Sequence, residues 1–164
     1  MVNKRIFLIV LSAIFITALL LFYPTEKRKI KKLMKKTAEW VQKSEEDTPL
    51  SIAVKSKKSR KFFADKVLLK IERRNYDREI PIEEIEKGYL YLMSSNSKFK
   101  VTIKDINIEI VDDLSAEADS AVIVETKGGT LEEFSNVNEV GFGLTKTEEG
   151  WRIRKIEIKE VLEK

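Results

Sequence analysis

The chain has 164 residues, 43% of them hydrophobic and 35% charged, with 31 Lys and Arg against 27 Asp and Glu. That size and balance fit one folded core rather than a disordered or multi-span chain. Cysteine and histidine are both absent, which excludes disulfides, thiolate nucleophiles, Ser-His-Asp catalysis and metal sites built on imidazole or thiolate.

Lys4 and Arg5 precede an uncharged apolar run that begins at Ile6 and ends at Tyr23. As a helix it would reach about 27 Å, close to the hydrocarbon core of a bilayer. Phe22 and Tyr23 stand at its exit, where aromatic rings favour the interface, and Pro24 ends the pattern. The exit, LLLFYPTEK, has no small-x-small cleavage pattern, so a retained single-pass anchor is expected rather than a removed leader. The chain thus divides into an N-terminal membrane anchor, residues 1–25, and a domain over 26–164, with the lipid bilayer as first partner and the cell membrane as location. The basic residues after the run favour a cytoplasmic domain, whereas a short basic start before one apolar run commonly leads a domain outward. The side of the membrane stays open.

Residues 26–43 read as a helix, with Ile30, Leu33, Met34, Ala38 and Val41 at i, i+3, i+4 spacing and Trp40 beside them. Thr25 or Pro24 opens it. A second helical stretch is predicted from Pro49, carrying Leu50, Ile52, Ala53, Val54, Phe62, Phe63 and Ala64, with Lys55, Lys57, Lys58, Arg60 and Lys61 on its polar face. Charge is segregated along the chain. Residues 24–61 hold 13 basic and 5 acidic side chains, and residues 62–164 hold 16 and 22. Next to an anchor, such a basic segment suits anionic headgroups, with Lys27, Arg28, Lys31, Lys32, Lys35 and Lys36 the candidate lipid-facing residues. The competing reading is an ordinary solvated helix face. Nucleic acid is not an expected partner, because no stacking aromatics are interleaved with the basic residues.

After residue 66 the period changes. Val67, Leu69 and Ile71 alternate as a short strand, and Tyr76, Asp77 and Arg78 form a turn or short edge strand. Pro81 opens a third helix with Ile82, Ile85, Tyr89, Leu92 and Met93 on one face, closed by Ser94, Ser95 and Asn96. Four strands follow. In residues 98–111, Phe99, Val101 and Ile103 keep one phase, and Ile106, Ile108 and Ile110 keep the other. A β-bulge at Lys104 and Asp105 would return both sets to one face. Residues 116–127 and 137–147 are the next strands, with a loop at Gly128 and Gly129. Residues 151–162 close the domain after a hairpin at Glu148, Glu149 and Gly150, with a second phase slip at Arg154 and Lys155. The fold class is α+β: a membrane helix, then helices packed on a strongly curved antiparallel sheet, a cone-shaped α+β barrel.

The order helix, helix, short strand, helix and four long strands resembles the nuclear transport factor 2-like, or SnoaL-like, cystatin-like superfamily, in its membrane-tethered bacterial form. The segments that carry the likeness are FFADKVLLKIE, IPIEEIEKGYLYL, KFKVTIKDINIEIV and GWRIRKIEIKEV. The resemblance implies a conical pocket and, in many members, a homodimer or protein complex through the sheet. It fits isomerases and non-catalytic modules alike.

Without histidine, a base would come from a carboxylate, a lysine or a tyrosine, and the best carboxylate candidate is Asp105 at the bulge, with Tyr89 or Tyr91 holding an oxyanion; the competing reading has Asp105 in water and the tyrosines in the core. No metal and no cofactor is expected. Trp40, Phe63, Tyr89, Met93 and Trp151 are the pocket candidates. The sequence is best read as a membrane-anchored, non-catalytic binding or scaffolding module. A small apolar ligand-binding protein and a general-base isomerase are the alternatives.

Overall fold

The computed structural model describes residues 25–129 and 134–162. The apolar run of residues 6–23 and its reading as an anchor lie outside them. Among the described residues no helix is long and apolar enough to cross a membrane.

Helix α1, Glu26–Val41, opens at Thr25, whose side chain accepts the Arg28 N–H at 3.4 Å. Its predicted stripe points inward: Ile30, Met34, Ala38 and Trp40 are buried, and Leu33 and Val41 are half-buried. Helix α2, Pro49–Ser56, has Pro49 in its first turn, and the Thr48 hydroxyl caps the Ser51 N–H at 3.2 Å. This helix is shorter than its periodicity suggested. A 3₁₀ turn, Lys57–Lys61, breaks it, and Phe63 begins strand β1, Phe63–Ile71. Phe62, Phe63 and Ala64 are therefore not helical. The Phe62 carbonyl accepts the Ile153 N–H at 2.8 Å, so pairing with a distant strand overrides the local pattern.

A short turn ending at Asn75 in the left-handed region (φ 48°) leads to β2, Tyr76–Pro81. Helix α3, Ile82–Ser95, buries Ile82, Tyr89, Met93 and also Glu86. Strands β3, Asn96–Ile110, β4, Ser115–Gly129, β5, Phe134–Thr147, and β6, Gly150–Leu162, complete the chain. Gly128 and Gly129, expected in a loop, are still in β4.

The three helices pack on a six-stranded sheet of order β2-β1-β6-β5-β4-β3. The expected wholly antiparallel sheet is instead mixed, because β1 runs parallel to β6. Parallel neighbours need a long crossover, and here everything from β2 to β5 lies between the two strands in sequence. No local pattern announces such a pairing.

The predicted bulge in β3 is present. Lys104 pairs with Ala121 and Asn107 with Asp119, so Asp105 and Ile106 stand opposite the single residue Ser120. Asp105 takes φ 52°. Both apolar sets of β3 thereby reach the helix-covered face. In β6, Gly143 pairs with Lys155 but Leu144 with Ile153, so Arg154 is the extra residue, where the phase slip placed it. A further bulge at Lys159 lies between the pairs Val140 with Ile158 and Glu139 with Glu160. Bulges bend strands and increase twist, and they curl the sheet around the helices.

At the β3 edge, the Lys43 N–H donates to the Phe99 carbonyl at 2.8 Å, and the Gln42 amide donates to Val101 O at 3.2 Å. The Lys43 ammonium donates to the Met93 and Asn96 carbonyls at the end of α3, the favourable place for a cation on a helix.

Candidate functional site

The outer face of α1 carries two rows at four-residue spacing: Lys27, Lys31 and Lys35, and Arg28, Lys32 and Lys36. All six are exposed. At 1.5 Å per residue the rows extend about 14 Å. Among the described residues, Lys27, Lys31, Lys32, Lys35 and Lys36 have no carboxylate within ion-pair distance. The second basic stretch differs. Lys55 pairs with Asp47 at 2.6 Å, Lys57 with Glu86 at 2.9 Å, and Arg60 with Glu83 at 2.6 Å and Glu86 at 3.3 Å. Glu86 is 6% exposed, and the Lys57 ammonium holds its carboxyl below the usual range against the opposing cost of burial. The positive segment of the sequence therefore becomes a face of α1 whose five lysines meet no carboxylate among the described residues, and a largely neutralised surface around α2.

The start of α1 is fixed to the β5–β6 hairpin. The Glu26 carboxylate accepts from the Lys29 ammonium at 2.8 Å and from Trp151 Nε1 at 2.6 Å, and lies 3.4 Å from the Lys146 ammonium. Lys29 first, then the indole N–H, lower its pKa from 4.5 to about 2. At the other end of α1, Trp40 stacks on Tyr89 with ring centroids 4.6 Å apart, and packs against Phe62 and Phe63 at 5.5 and 5.8 Å. The Trp40 indole donates to Lys55 O at 2.7 Å, and the Tyr89 hydroxyl donates to Trp40 O at 3.5 Å. Burial, and then the charge of Asp47, push the Tyr89 phenol up to about 12.

The five pocket candidates, Trp40, Phe63, Tyr89, Met93 and Trp151, are all in the buried core and pack against one another or the sheet. The three catalytic candidates are not gathered at one point. Asp105 is exposed on the bulge, Tyr91 is 69% exposed, and the Tyr89 hydroxyl faces a backbone carbonyl. Among the described residues no cluster of three or more metal-ligating side chains occurs.

A less conspicuous surface lies on the inner sheet face. Val101 and Ile103 of β3, Val122 and Val124 of β4, and Asn136 and Asn138 of β5 are cross-strand neighbours, and all six are half-buried. Beside them Ser120 is 4% exposed, and its hydroxyl has no hydrogen-bond partner. A buried unpaired hydroxyl carries a desolvation cost.

By sequence, the chain matches no family model and no curated protein. By structure, it is similar to the Kfla4162 protein of Kribbella flavida, with TM-score 0.64 and 16% identity over 82% of this chain and 90% of that one. A nuclear transport factor 2-like superfamily protein of Salmonella enterica serovar Typhimurium aligns at TM-score 0.61 and 14% identity, covering 82% and 90%. A nuclear transport factor 2-like protein of Cytophaga hutchinsonii aligns at 0.57 and 11%, covering 79% and 95%. The fold is nuclear transport factor 2-like. At these identities the likeness is one of fold.

Within the nuclear transport factor 2-like cone, Ser120, Asn136 and Asn138 are polar groups outside the residue types that mark catalytic or metal chemistry. Their signal is a polar side chain in the apolar phase of a strand: Ser120 keeps step with Ala118, Val122 and Val124.

Proposed function

We propose that this chain is a membrane-anchored binding module. In this reading residues 6–23 hold it in the bilayer, and the nuclear transport factor 2-like domain rests on anionic lipid through α1 without running a reaction in its cone. The observation that carries the reading is the exposed cation ladder of α1, free of carboxylates at its five lysines and starting just after the apolar run. A helix face that only needed solubility would mix both signs, as the surface around α2 does. Asp105 is exposed on the bulge and the Tyr89 hydroxyl is turned onto a backbone carbonyl, and this placement favours a non-catalytic domain.

The test is vesicle binding by a chain of residues 25–164. It should bind vesicles containing anionic lipid at low salt and release them as salt rises. Each α1 lysine is worth about 1 kcal/mol near such a surface, roughly fivefold in affinity. Reversing Lys31, Lys32, Lys35 and Lys36 should therefore abolish binding, while reversing Lys58 and Lys61 should not. Equal binding to neutral vesicles would refute the electrostatic reading.

A second reading is favoured by the inner sheet face. The unpaired Ser120 hydroxyl beside four aliphatic side chains and two amides suits a small apolar ligand with one polar group. A polarity-sensitive apolar dye should bind in the cone. Val122→Trp, which fills the floor, should displace it. Dye binding unaffected by that substitution would exclude the inner face.

A further inference from the structure

We propose that the domain stands on the bilayer by one defined end, the β3–β4 turn together with the β5–β6 hairpin, with Val111 and Leu114 in the headgroup region. This inference rests on the anchor reading above and adds the side of the domain that meets lipid.

Glu26 fixes the start of α1 to the sheet. As the first residue of α1 it is tied to Trp151 at 2.6 Å and Lys146 at 3.4 Å, both from the β5–β6 hairpin. The Lys146 N–H donates to the Leu114 carbonyl at 2.8 Å. Helix start, hairpin and β3–β4 turn are thus one assembly. Three peptide steps separate Tyr23, the end of the apolar run, from Glu26, and they can span at most about 11 Å. If the run ends at the interface, this assembly is held within that distance of it. Along α1 the distance from Glu26 grows by 1.5 Å per residue, so Lys27, Arg28, Lys31 and Lys32 lie within about 9 Å of its start and near the headgroups, whereas its opposite end, where Lys43 pairs with Phe99, is about 24 Å away.

The turn held at this end exposes two large aliphatic side chains, Val111 at 59% and Leu114 at 64%. Burial of such groups is favourable in an apolar phase and has nothing to gain in water. Asp112 between them faces back into its own turn, accepting the Leu114 N–H at 2.8 Å and the Ser115 hydroxyl. Glu149 on the hairpin is paired with Arg152 at 2.9 Å. Asp113 and Glu148 remain as exposed acids, so the turn contributes an apolar contact, and the preference for anionic lipid comes from α1. Insertion is therefore shallow, with the carboxylates left in water.

The cysteine-free sequence makes the experiment direct. Single variants Val111→Cys, Leu114→Cys and Leu50→Cys of the full-length chain are labelled with an environment-sensitive fluorophore and reconstituted into phosphatidylcholine–phosphatidylglycerol vesicles. Leu50 is 76% exposed and follows the loop at the other end of α1, so it serves as the reference. Probes at residues 111 and 114 should emit to the blue and be quenched several-fold more by lipid-attached nitroxide than the probe at residue 50, which iodide in the water should quench. Probes at 111 and 114 as accessible to iodide as that at 50 would overturn the inference, as would lipid quenching at 50 alone. Alkaline carbonate washing reads the anchor separately. A chain that washes off the vesicles refutes the anchor and this inference together, and a retained chain with wet probes at 111 and 114 refutes this inference alone.

Discussion

Glu26 compensates the positive end of α1, pairs with Lys29, and gives the buried Trp151 indole its acceptor. Because its pKa falls from 4.5 to about 2 on folding, its contribution to stability is present above pH 4.5 and is lost as pH falls towards 2. Replacing Glu26 by Ala should cost about 1–3 kcal/mol at neutral pH, since it leaves a buried N–H without a partner. Urea unfolding should show the difference between wild type and variant shrinking over that acid window, and a difference independent of pH would refute the assignment. Glu86 teaches a different lesson at the same scale. In the sequence it reads as one of several acids suited to a helix start, yet α3 turns it inward onto Lys57, Ser59 and Arg60. Helical spacing sets it apart from the exposed Glu83, since it stands four residues after Ile82 and three before Tyr89 on the apolar face, but the partners it meets there come from elsewhere in the chain. Asp105 was legible as the bulge residue because the apolar phase of β3 breaks there, and its positive φ follows from being the extra residue.

Among the elements, β5 shows how bulges in one strand constrain the next. The bulges at Arg154 and Lys159 lay Lys155 and Lys159 across β5, where Gly143 and Gly141 leave room. Lys159 reaches over Gly141 to pair with Asp119 on β4 at 2.6 Å. A Cβ at Gly143 would meet the Lys155 Cβ at 2.9 Å, and that atom cannot move without its backbone. Gly143→Ala should therefore cost about 1–3 kcal/mol. Gly88, inside α3 with nothing near its missing Cβ, is the contrast: Gly88→Ala should gain about 0.5–1 kcal/mol from helix propensity. Thermal unfolding of the two variants checks both signs, and a neutral Gly143→Ala would mean that the strands shift freely. The glycines read in the sequence as places of close approach. What approaches could not be read, because it depends on the register between β5 and β6.

At the scale of the whole molecule, the basic segment divides by what folding brings near it. The acids that neutralise Lys57 and Arg60 come from α3, more than twenty residues later, whereas among the described residues no carboxylate lies within ion-pair distance of Lys27, Lys31, Lys32, Lys35 or Lys36. Exposed charges interact over about 8–10 Å at physiological salt, so the α1 ladder acts as one patch. The vesicle experiment above tests that unity. Loss of binding should follow the number of α1 lysines removed, and net charge alone should not predict it. An equal loss on reversing Lys58 and Lys61 would mean that a diffuse field is responsible.

The sequence by itself determined what depends on near neighbours: the helix starts at Thr25, Pro49 and Pro81, the inward stripe of α1, and the β3 bulge and first β6 bulge read from a broken two-residue period. The second β6 bulge, at Lys159, came from the strand pairing alone. Only the tertiary structure decided that β1 lies parallel to β6, that α2 stops at Ser56, that Glu86 meets Lys57 and Arg60, and that Tyr89 stacks under Trp40. Helix caps and periodicity are set by backbone hydrogen bonds and side-chain direction within a few residues. Strand partners, ion pairs and burial are set by residues far apart in the chain, whose meeting no local pattern encodes.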